Sequence, residues 1–387
     1  MDKFADQQLR LRFFDIQANI RSDAPVFIDI FKKMYHRFQT GSLSPSLQPP
    51  VDFTIKTQPE KPGDKPTLAI EGEKRPLKNP ALLEGYVYEN ILHTILSKVR
   101  SHFLIHAGVV SLNGQGLVLT GKGGHGKTTL VLELMRRGFR FLSDEMAALG
   151  RQDHHVHPFP RSLRIRPGTL ELTDFATAAE GATKWLDKII IDIEKIQPAY
   201  LGKAVPPTHI VILSNPAENE QNGTDRSMQE LVILVDRLDQ VMIKAVGRIE
   251  GVTDVQFSDD GLLPMLRLFS IRGTLALPKI EEICRQQQIR ILNIIKDNFS
   301  RPRFDTAPQL KAIARSRAVM ELLRNFQGGH KSALLREACG GRTTQLFMEL
   351  SAIIRKANCY QLFVGSLGEM ADLICSLFDQ ERIGNGR

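Results

Sequence analysis

An eight-residue glycine-rich segment near the middle of the chain constrains fold and chemistry more than any other feature. Residues 121–128 read Gly-Lys-Gly-Gly-His-Gly-Lys-Thr and match the pattern G-x-x-x-x-G-K-[ST] at every fixed position. An apolar strand-like run precedes the segment at 117–120, and an apolar helix-like run follows it at 130–135. In this strand–loop–helix context the pattern forms a phosphate-binding loop, or P-loop. The segment therefore predicts an α/β domain that binds a nucleoside triphosphate.

Each fixed residue of the segment has a chemical reason. Glycines let successive backbone N–H groups turn towards an anion, and the positive N-terminal end of the following helix faces the same charge. The Lys127 ammonium reaches the β- and γ-phosphates, and the Thr128 hydroxyl is a ligand for Mg²⁺. We therefore expect ATP and Mg²⁺ as cofactors, with these residues at the nucleotide: Gly121, Gly123, Gly124, His125, Gly126, Lys127, Thr128 and Thr129. For His125, a variable loop position and a direct phosphate contact both stay open.

An acidic pair follows the next predicted strand. The strand 139–142 leads into Ser143, Asp144 and Glu145, near the carboxyl edge of the predicted sheet and beside the glycine-rich loop. A carboxylate there can hold Mg²⁺ or take a proton from an attacking hydroxyl, so Asp144 and Glu145 join Thr128 as candidate metal ligands. The alternative is that Ser-Asp-Glu caps a following helix.

Composition narrows the class of protein. The 387 residues are 42% hydrophobic, enough for one large or two ordinary domains. No run of about 18 apolar residues and no signal-peptide pattern is found, so we expect a cytoplasmic protein without a membrane span. The four cysteines lack C-x-x-C spacing and predict reduced thiols. The net charge of +8 is spread along the chain without a nucleic-acid module, so nucleic-acid binding is not expected.

Hydrophobic periodicity divides the chain into three predicted regions. The first, 1–97, is an α+β region of unknown role; the second, 98–275, is the P-loop core; the third, 276–387, is mainly helical. The expected elements are helix-like patterns between Leu9 and Met34, at 81–100 and at 229–246, and strands at 51–55, 67–70, 103–107, 109–112, 209–213 and 359–364.

Three further groups of polar residues are candidates for function. Arg161, Arg164 and Arg166 either form a solvated strand face or contact the γ-phosphate or an acidic substrate, and Arg161 is the best single candidate. His154, His155 and His157 have no acidic or cysteine partner at ligand spacing, which favours an exposed loop over a metal site. His106, alone on a strand before the loop, is either a core residue or a catalytic one.

Three stretches taken together resemble the HPr kinase/phosphorylase family. They are Leu104-Ile-His-Ala-Gly-Val-Val, the run from Gly116 through the loop to Thr129, and Arg137-Gly-Phe-Arg-Phe-Leu-Ser-Asp-Glu. The resemblance is greater to the HPr-kinase-related branches, which share the P-loop of phosphoenolpyruvate carboxykinases, and the size of the flanking regions fits the kinase B group. It covers roughly residues 103–166, with weaker similarity to about 213. It implies a P-loop kinase core of the HPr kinase C-terminal-domain type.

The resemblance also implies a reaction and its residues. ATP- and Mg²⁺-dependent transfer of the γ-phosphate to a hydroxyl, typically a serine of a partner protein, would use Asp144 as general base. Lys127 would hold the phosphates, Glu145 would lie near the metal, and His106 matches the active-site histidine of the family, which orients or polarises the acidic pair. The oligomers common in the family make self-association an expectation.

The chain departs from the family pattern at several positions. Glu145 stands where HPr kinase typically has Asp, and Lys122 and His125 replace parts of a Gly-[DE]-Ser-Gly-Ile-Gly loop. The glycine-rich signature that assists phosphorolysis is not found. The resemblance therefore implies kinase chemistry without implying phosphorolysis or HPr itself as the acceptor. Two other functions stay open: an ATPase or nucleotide-dependent switch, and a binding module without catalysis.

Overall fold

A computed structural model describes most of the chain, and the statements below concern the described residues: 7–41, 49–57, 66–76, 83–165, 167–175, 178, 180, 182–185, 188–216, 229–235, 237–258, 265–270, 273–289, 291–297, 304–327, 334 and 343–384. The chain divides into two compact units. The main unit comprises Met1–Leu213, Pro308–Leu362 and Ser366–Arg387, and the inserted unit comprises Ser214–Ala307 with Phe363–Gly365. The boundaries at 97/98 and 275/276 remain a prediction.

An N-terminal sheet begins the main unit. Its five strands follow the order β1-β2-β3-β4-β5, with a parallel pair only between β2 and β3. The predicted strands at 51–55 and 67–70 and the predicted helix at 81–100 are confirmed. The elements are β1 Gln8–Phe13, β2 Ile16–Ser22, α1 Pro25–Tyr35, a 3₁₀ turn His36–Phe38, β3 Val51–Lys56, β4 Thr67–Ile70, β5 Glu73–Pro76 and α2 Leu83–Lys98.

The first part of the N-terminal helix prediction is wrong, because residues 8–22 form a hairpin. Leu9, Leu11 and Phe13 are buried and alternate with less buried residues, which is the period of a strand. Phe14, at the turn, adopts a positive φ of 55°. The helical spacing of Leu9, Phe13 and Ile16 was coincidental, since the turn at 14–15 separates Ile16 from the other two, which lie on one strand.

The largest sheet of the described residues lies at the centre of the main unit. Its order is β10-β9-β6-β7-β14-β20-β19, and β8 also pairs with β6. A small sheet of order β11-β13-β12 accompanies it. The elements up to residue 214 are β6 His102–Leu112, β7 Gln115–Gly121, α3 Lys127–Arg136, β8 Arg140–Ser143, β9 Met146–Gly150, β10 Val156–His157, β11 Leu163–Ile165, α4 Pro167–Leu172, β12 Thr183–Trp185, β13 Lys188–Ile191, α5 Ile193–Ile196 and β14 Pro207–Ser214.

Strand β7 is the buried middle of this sheet. It runs antiparallel to β6 and parallel to β14, and its residues from Gly116 to Gly121 are buried. Helix α3 lies against β6 so closely that a Cβ atom on Gly108 would be 2.6 Å from Val131 Cγ2. Burial and close packing therefore hold the end of β7 in position, and the glycine-rich loop begins there.

The inserted unit has the β-α-β-β-α-β connectivity of a split βαβ fold. Its four strands are antiparallel and follow the order β16-β17-β15-β18. Its apolar core is contributed by strands and helices of this unit. The elements are β15 Gln229–Val235, α6 Gln240–Gly247, β16 Val252–Ser258, β17 Met265–Ser270, α7 Gly273–Gln286 and β18 Ile291–Asp297.

The predicted helix at 229–246 is wrong in its first half, which is strand β15. Leu231, Ile233 and Val235 are buried at alternate positions, as a strand requires. Helix α6 begins only after Asp239, whose carboxylate accepts hydrogen bonds from the amides of Val241 at 2.7 Å and Met242 at 3.2 Å.

The chain returns to the central sheet after residue 307. The predicted strand at 359–364 is confirmed as β20, and helices make up most of the described C-terminal segment. The elements are β19 Gln309–Ala312, α8 Arg315–Arg324, α9 Thr343–Ile353, β20 Asn358–Phe363 and α10 Leu367–Gly384. Across the described ranges, no helix combines the length and the hydropathy needed to cross a membrane.

Candidate functional site

The glycine-rich loop joins β7 to α3 through backbone conformations that favour glycine. Gly121, Gly124 and Gly126 have φ values of 144°, 75° and 80°. At Gly121 the lack of a side chain is also a steric requirement, because a Cβ atom would lie 2.6 Å from the carbonyl oxygen of Leu213 on β14. The loop can therefore turn sharply against the neighbouring strand and start α3 at Lys127.

Two side chains hold the loop in this shape. The Lys127 ammonium donates hydrogen bonds to the carbonyl oxygens of Gly121 at 2.7 Å and Lys122 at 3.0 Å. Buried His125 places its Nδ1 atom 3.1 Å from the carbonyl oxygen of Leu213, so its ring faces the neighbouring strand. Its predicted contact with phosphate stays a prediction. Thr128 and Thr129 are half-buried in the first turn of α3.

The acidic pair lies at the break between β8 and β9, two strands that both pair with β6. The pairing register of β6 with β8 shifts beside Val109, and residues 144–145 fall between β8 and β9, which both pair with β6. Consecutive residues of a regular strand point to opposite faces. The interruption allows Asp144 and Glu145 to approach the same guanidinium group, that of Arg161.

Ser143 stabilises the interruption through its side chain. Its Oγ atom accepts hydrogen bonds from the backbone amides of Glu145 at 3.2 Å and Met146 at 2.8 Å. Strand β9 follows at once, so the alternative that Ser-Asp-Glu caps a helix is wrong. The chain direction brings the end of β8 to the same edge of the sheet as the end of β7, because both run antiparallel to β6.

Arg161 and His106 complete a charged cluster around the acidic pair. Arg161 is 4% exposed. Its Nη2 atom donates to Glu145 Oε2 at 2.5 Å and to Asp144 Oδ2 at 3.4 Å. His106 Nδ1 lies 3.3 Å from Glu145 Oε1. The sequence proposed these four residues separately, and the fold brings them together.

The surroundings of the two carboxyl groups shift their pKa values in opposite directions. Burial raises the pKa of Asp144, which the charge of Arg161 only partly offsets. Desolvation opposes the ionisation of Glu145 as well, but Arg161 and the hydrogen bond with His106 outweigh it and lower its pKa. The Glu145 side chain is 44% exposed, so solvent screens these charges more than at Asp144. Asp144 is therefore the more basic of the two carboxylates.

One oxygen atom of Asp144 remains available for a ligand. The Oδ1 atom is buried and has no hydrogen-bond partner among the described residues. A buried carboxylate oxygen without a hydrogen-bond partner fits a hard cation such as Mg²⁺ or a hydroxyl donor. Within the described ranges no group of three or more His, Cys, Asp or Glu residues could hold a metal ion. A cation at this atom would need further oxygen ligands, and Thr128 and Glu145 stay the candidates that the sequence predicts.

The other candidates make different contacts. Arg164 pairs with Glu89 at 3.5 Å and lies over the Trp185 ring at 5.3 Å, and its charge also helps to lower the pKa of Glu145. Arg166 lies outside the described residues. His157 pairs with Asp153 at 2.8 Å, a partner that the sequence did not indicate, and the exposed loop favoured over a metal site stays a prediction.

Sequence reasoning missed the residues that surround Arg161 from the N-terminal region. The hydroxyls of Tyr35 and Tyr88 lie 2.8 Å apart in the core, and the charge of Arg161 acts on both. Ser162, next to Arg161, is 2% exposed and bonded to helix α1. In the sequence, these residues were marked only by two aromatic side chains in helical patterns, and such side chains are typical of any core.

Comparisons with known proteins find partial matches to proteins of one name. A Levilactobacillus brevis protein named HPr kinase/phosphorylase is 28% identical over 126 residues, which are 32% of this chain and 40% of that protein. A Fusobacterium nucleatum protein whose name refers to the same family is 39% identical over 164 residues, 39% of this chain and 26% of that protein. Over these residues the chain is similar to proteins named HPr kinase/phosphorylase. No protein-family model matches it.

The similarity covers only part of this chain and only part of each relative. The chain covers less than half of the length of the curated relatives it matches, such as 28% of a Limosilactobacillus reuteri HPr kinase/phosphorylase at 29% identity over 88 residues (23% of this chain). The solved HPr(Ser) kinase/phosphatase of Coxiella burnetii aligns with 48% of this chain and 95% of its own at 17% identity and a TM-score of 0.22. That score is too low to support an argument about the fold.

Proposed function

We propose that this chain is an ATP- and Mg²⁺-dependent kinase that transfers the γ-phosphate to a hydroxyl, that of a serine of a partner protein. The observation that carries the proposal is the buried Asp144 carboxylate, whose Oδ1 atom has no partner among the described residues, at the same sheet edge as the glycine-rich loop. Similarity to proteins named HPr kinase/phosphorylase supports the same reaction class.

In this proposal Asp144 is the general base. Transfer of a phosphoryl group needs an acceptor oxygen in line with the γ-phosphate and a group that takes its proton. Burial raises the pKa of Asp144, which makes its carboxylate a stronger base than an exposed aspartate. Glu145, with a lowered pKa, stays ionised and helps to hold the metal.

The glycine-rich loop is the proposed P-loop. The Lys127 ammonium, now bonded to the carbonyl oxygens of Gly121 and Lys122, would exchange them for phosphate oxygens. Helix α3 begins at Lys127, and the N-terminal end of a helix is suited to the same anion. Mg²⁺, held by Thr128 and the acidic pair together with the phosphates, would neutralise charge on the nucleotide.

Arg161 and His106 are proposed to set the charge balance of the acidic pair. With Arg161 bonded to both carboxylates, the cluster carries one positive and two negative charges before a metal binds. Arg161 can also turn one of its donors towards the γ-phosphate, as predicted from the sequence. His106, within 3.3 Å of Glu145, orients that carboxylate.

Labelled nucleotide tests the proposal directly. Purified protein, Mg²⁺ and γ-labelled ATP are incubated with a cell lysate, and label is followed in polypeptides and in free phosphate. Label in a second polypeptide, whose modified serine is then located by mass spectrometry, is the expected result. Free phosphate as the only labelled product would instead identify an ATPase or switch.

The Lys127→Ala variant is the control for this assay. It removes the ammonium that the P-loop assignment requires, so ATP binding should weaken and transfer should disappear. If calorimetry detects no Mg·ATP binding even to the unmodified protein, the kinase proposal is wrong and a non-catalytic role remains.

A further inference from the structure

The segment that carries Arg161 is tied to two different parts of the main unit. At one end, the amide of Phe159 donates to the carbonyl oxygen of Leu142 on β8 at 2.9 Å. At the other end, the amide of Ser162 donates to the carbonyl oxygen of Met34 at 2.8 Å, and its Oγ atom donates to that of Lys33 at 2.6 Å. Residues 159–162 therefore connect the strand of the acidic pair to the last turn of helix α1.

Aromatic residues of the N-terminal region enclose the first residue of this segment. The Phe159 ring is 1% exposed and lies within 6.5 Å, centroid to centroid, of four rings. They are Phe13, Phe14, Tyr35 and Phe38. All four come from β1, the following turn, α1 or the 3₁₀ turn, so the backbone of the segment is held by packing as well as by hydrogen bonds.

The guanidinium itself has few bonds that fix its direction. Arg161 Nη2 bonds both carboxylates, whereas the buried Nε atom has no hydrogen-bond partner among the described residues. The position of the guanidinium must therefore come mainly from where the backbone of residue 161 is held. That backbone lies directly beside Ser162, the residue bonded twice to α1.

We propose that the N-terminal region positions Arg161 on the acidic pair, and that Ser162 is the positioning residue through its two bonds to the end of helix α1. The inference rests on the proposed function for the importance of Arg161 to transfer. It assigns a role to residues 8–98, which the sequence left without one. The nearby pair of buried tyrosines, Tyr35 and Tyr88, adds to the rigidity of the same region.

Loss of the Ser162 hydroxyl should act on transfer more than on nucleotide binding. The Ser162→Ala variant removes the bond to Lys33 and leaves the backbone bond to Met34. A small displacement of a group at the reacting centre costs rate steeply, so kcat should fall about 10- to 100-fold. The KM for ATP should stay close to that of the unmodified protein, because the glycine-rich loop does not contact Ser162 in the described structure. The Ser162→Thr variant keeps the hydroxyl and should recover most of the rate.

Ser97→Ala is the matched control. Ser97 is also buried, at 7% exposure, and its Oγ atom donates to a backbone carbonyl, that of Thr94, at 2.9 Å. It lies in the same N-terminal region but has no bond to residues 159–162 among those described. Its kcat should equal that of the unmodified protein. An equal loss of kcat in both variants would mean general destabilisation and would overturn the proposal.

A second measurement does not depend on catalysis. Arg161, at 4% exposure, should resist phenylglyoxal, and mass spectrometry of digested protein can follow its modification. Ser162→Ala should be modified at this residue faster than the unmodified protein, Ser162→Thr or Ser97→Ala. Unchanged protection of Arg161 in Ser162→Ala refutes the positioning role. If no phosphoryl transfer is found for any variant, the proposed function fails, but this measurement still decides whether Ser162 holds Arg161.

Discussion

Asp144 and Glu145 are neighbours in the chain, but they differ in exposure and in acidity. The Asp144 side chain is 1% exposed and the Glu145 side chain is 44% exposed. Desolvation penalises the charged form of a carboxyl group, so Asp144 is the weaker acid of the two, and Arg161 moderates the difference. One residue is thereby suited to exchanging a proton and the other to keeping its charge.

The Asp144→Asn variant separates binding from chemistry at this site. Asparagine preserves the shape of the side chain but cannot act as a base, so kcat should fall by about 10²- to 10⁴-fold. Calorimetric affinity for Mg·ATP should change far less, because the glycine-rich loop remains intact. Turnover at the rate of the unmodified protein would show that another group accepts the proton.

The carboxyl group of Asp144 should also determine how kcat falls at acidic pH. The pKa of Asp144 is raised above its ordinary value, so the deprotonated base is lost when the pH falls through that raised value. We expect kcat to decline on the acid side at a pH above the ordinary pKa of about 3.9 for aspartate. Initial rates with saturating Mg·ATP between pH 4 and 8 measure this, and a profile flat down to pH 4 would contradict a raised pKa.

At the scale of an element, the end of β7 requires glycine for two reasons. Gly121→Ala would introduce both a strained positive φ and a Cβ atom 2.6 Å from Leu213 O, whereas Gly114→Ala, at φ 78°, would introduce strain alone with nothing within 4 Å. Strain of this kind costs about 1–2 kcal/mol, so Gly114→Ala should lower the free energy of unfolding by that amount. Gly121→Ala should lose more, and should weaken nucleotide binding. Equal losses in urea unfolding would show that β14 can move aside.

Near the C-terminal end of helix α3, a buried carboxylate forms ion pairs that stabilise the helix. Glu133, 3% exposed, accepts hydrogen bonds from Arg136 and Arg137 at 2.8 Å, and Arg137 also bonds Asp372 on α10. Burial alone would raise the pKa of Glu133, but the two arginines outweigh it and lower that pKa. The ion pairs therefore stabilise the fold above the unfolded-state pKa, and this stabilisation is lost as the pH falls through the lower folded-state value.

The Glu133→Gln variant tests that linkage. The free energy of unfolding should fall by about 1–3 kcal/mol at pH 7, and the difference from the unmodified protein should shrink as the pH is lowered below about 4.5. Urea unfolding at pH 7, 5 and 3.5 measures both. Glu321→Gln, at an i,i+3 pair whose arginine is 68% exposed, is the control and should lose less than about 1 kcal/mol. A loss at Glu133 that does not depend on pH would contradict the assigned ion pairs.

Element predictions from the sequence succeeded where one periodicity was unambiguous. The helix at 81–100 and the strands at 117–120, 209–213 and 359–364 were found because each is a single uninterrupted apolar pattern. The hairpin at 8–22 and the strand–helix pair at 229–247 were taken for helices. In both, strand residues beside a turn or a helix mimic a 3.6-residue period, and only pairing with other strands distinguishes the two.

At the scale of the whole molecule, the inserted unit should fold by itself. Residues 214–307 contain all six elements of the βαββαβ arrangement and the apolar cluster on which they pack. Expressed alone, this fragment should show a cooperative urea transition and a mixed α/β circular dichroism spectrum. The fragment 229–270, which lacks α7 and β18, leaves the central strand β15 unpaired on one side and should not fold. A non-cooperative transition for 214–307 would show that the main unit is needed for its folding.

The sequence by itself determined the local chemistry: the glycine conformations of the loop, the lysine that follows, the acidic pair after the next strand and the similarity to kinases. These properties reside in contiguous residues, where backbone preference and side-chain type are fixed together. The tertiary structure alone decided that Arg161 reaches both carboxylates, that Ser162 is bonded to the end of α1 and that β19 and β20 rejoin the central sheet after a separate unit. Such contacts join residues far apart in the chain, and they depend on strand order and close packing, which no local pattern encodes.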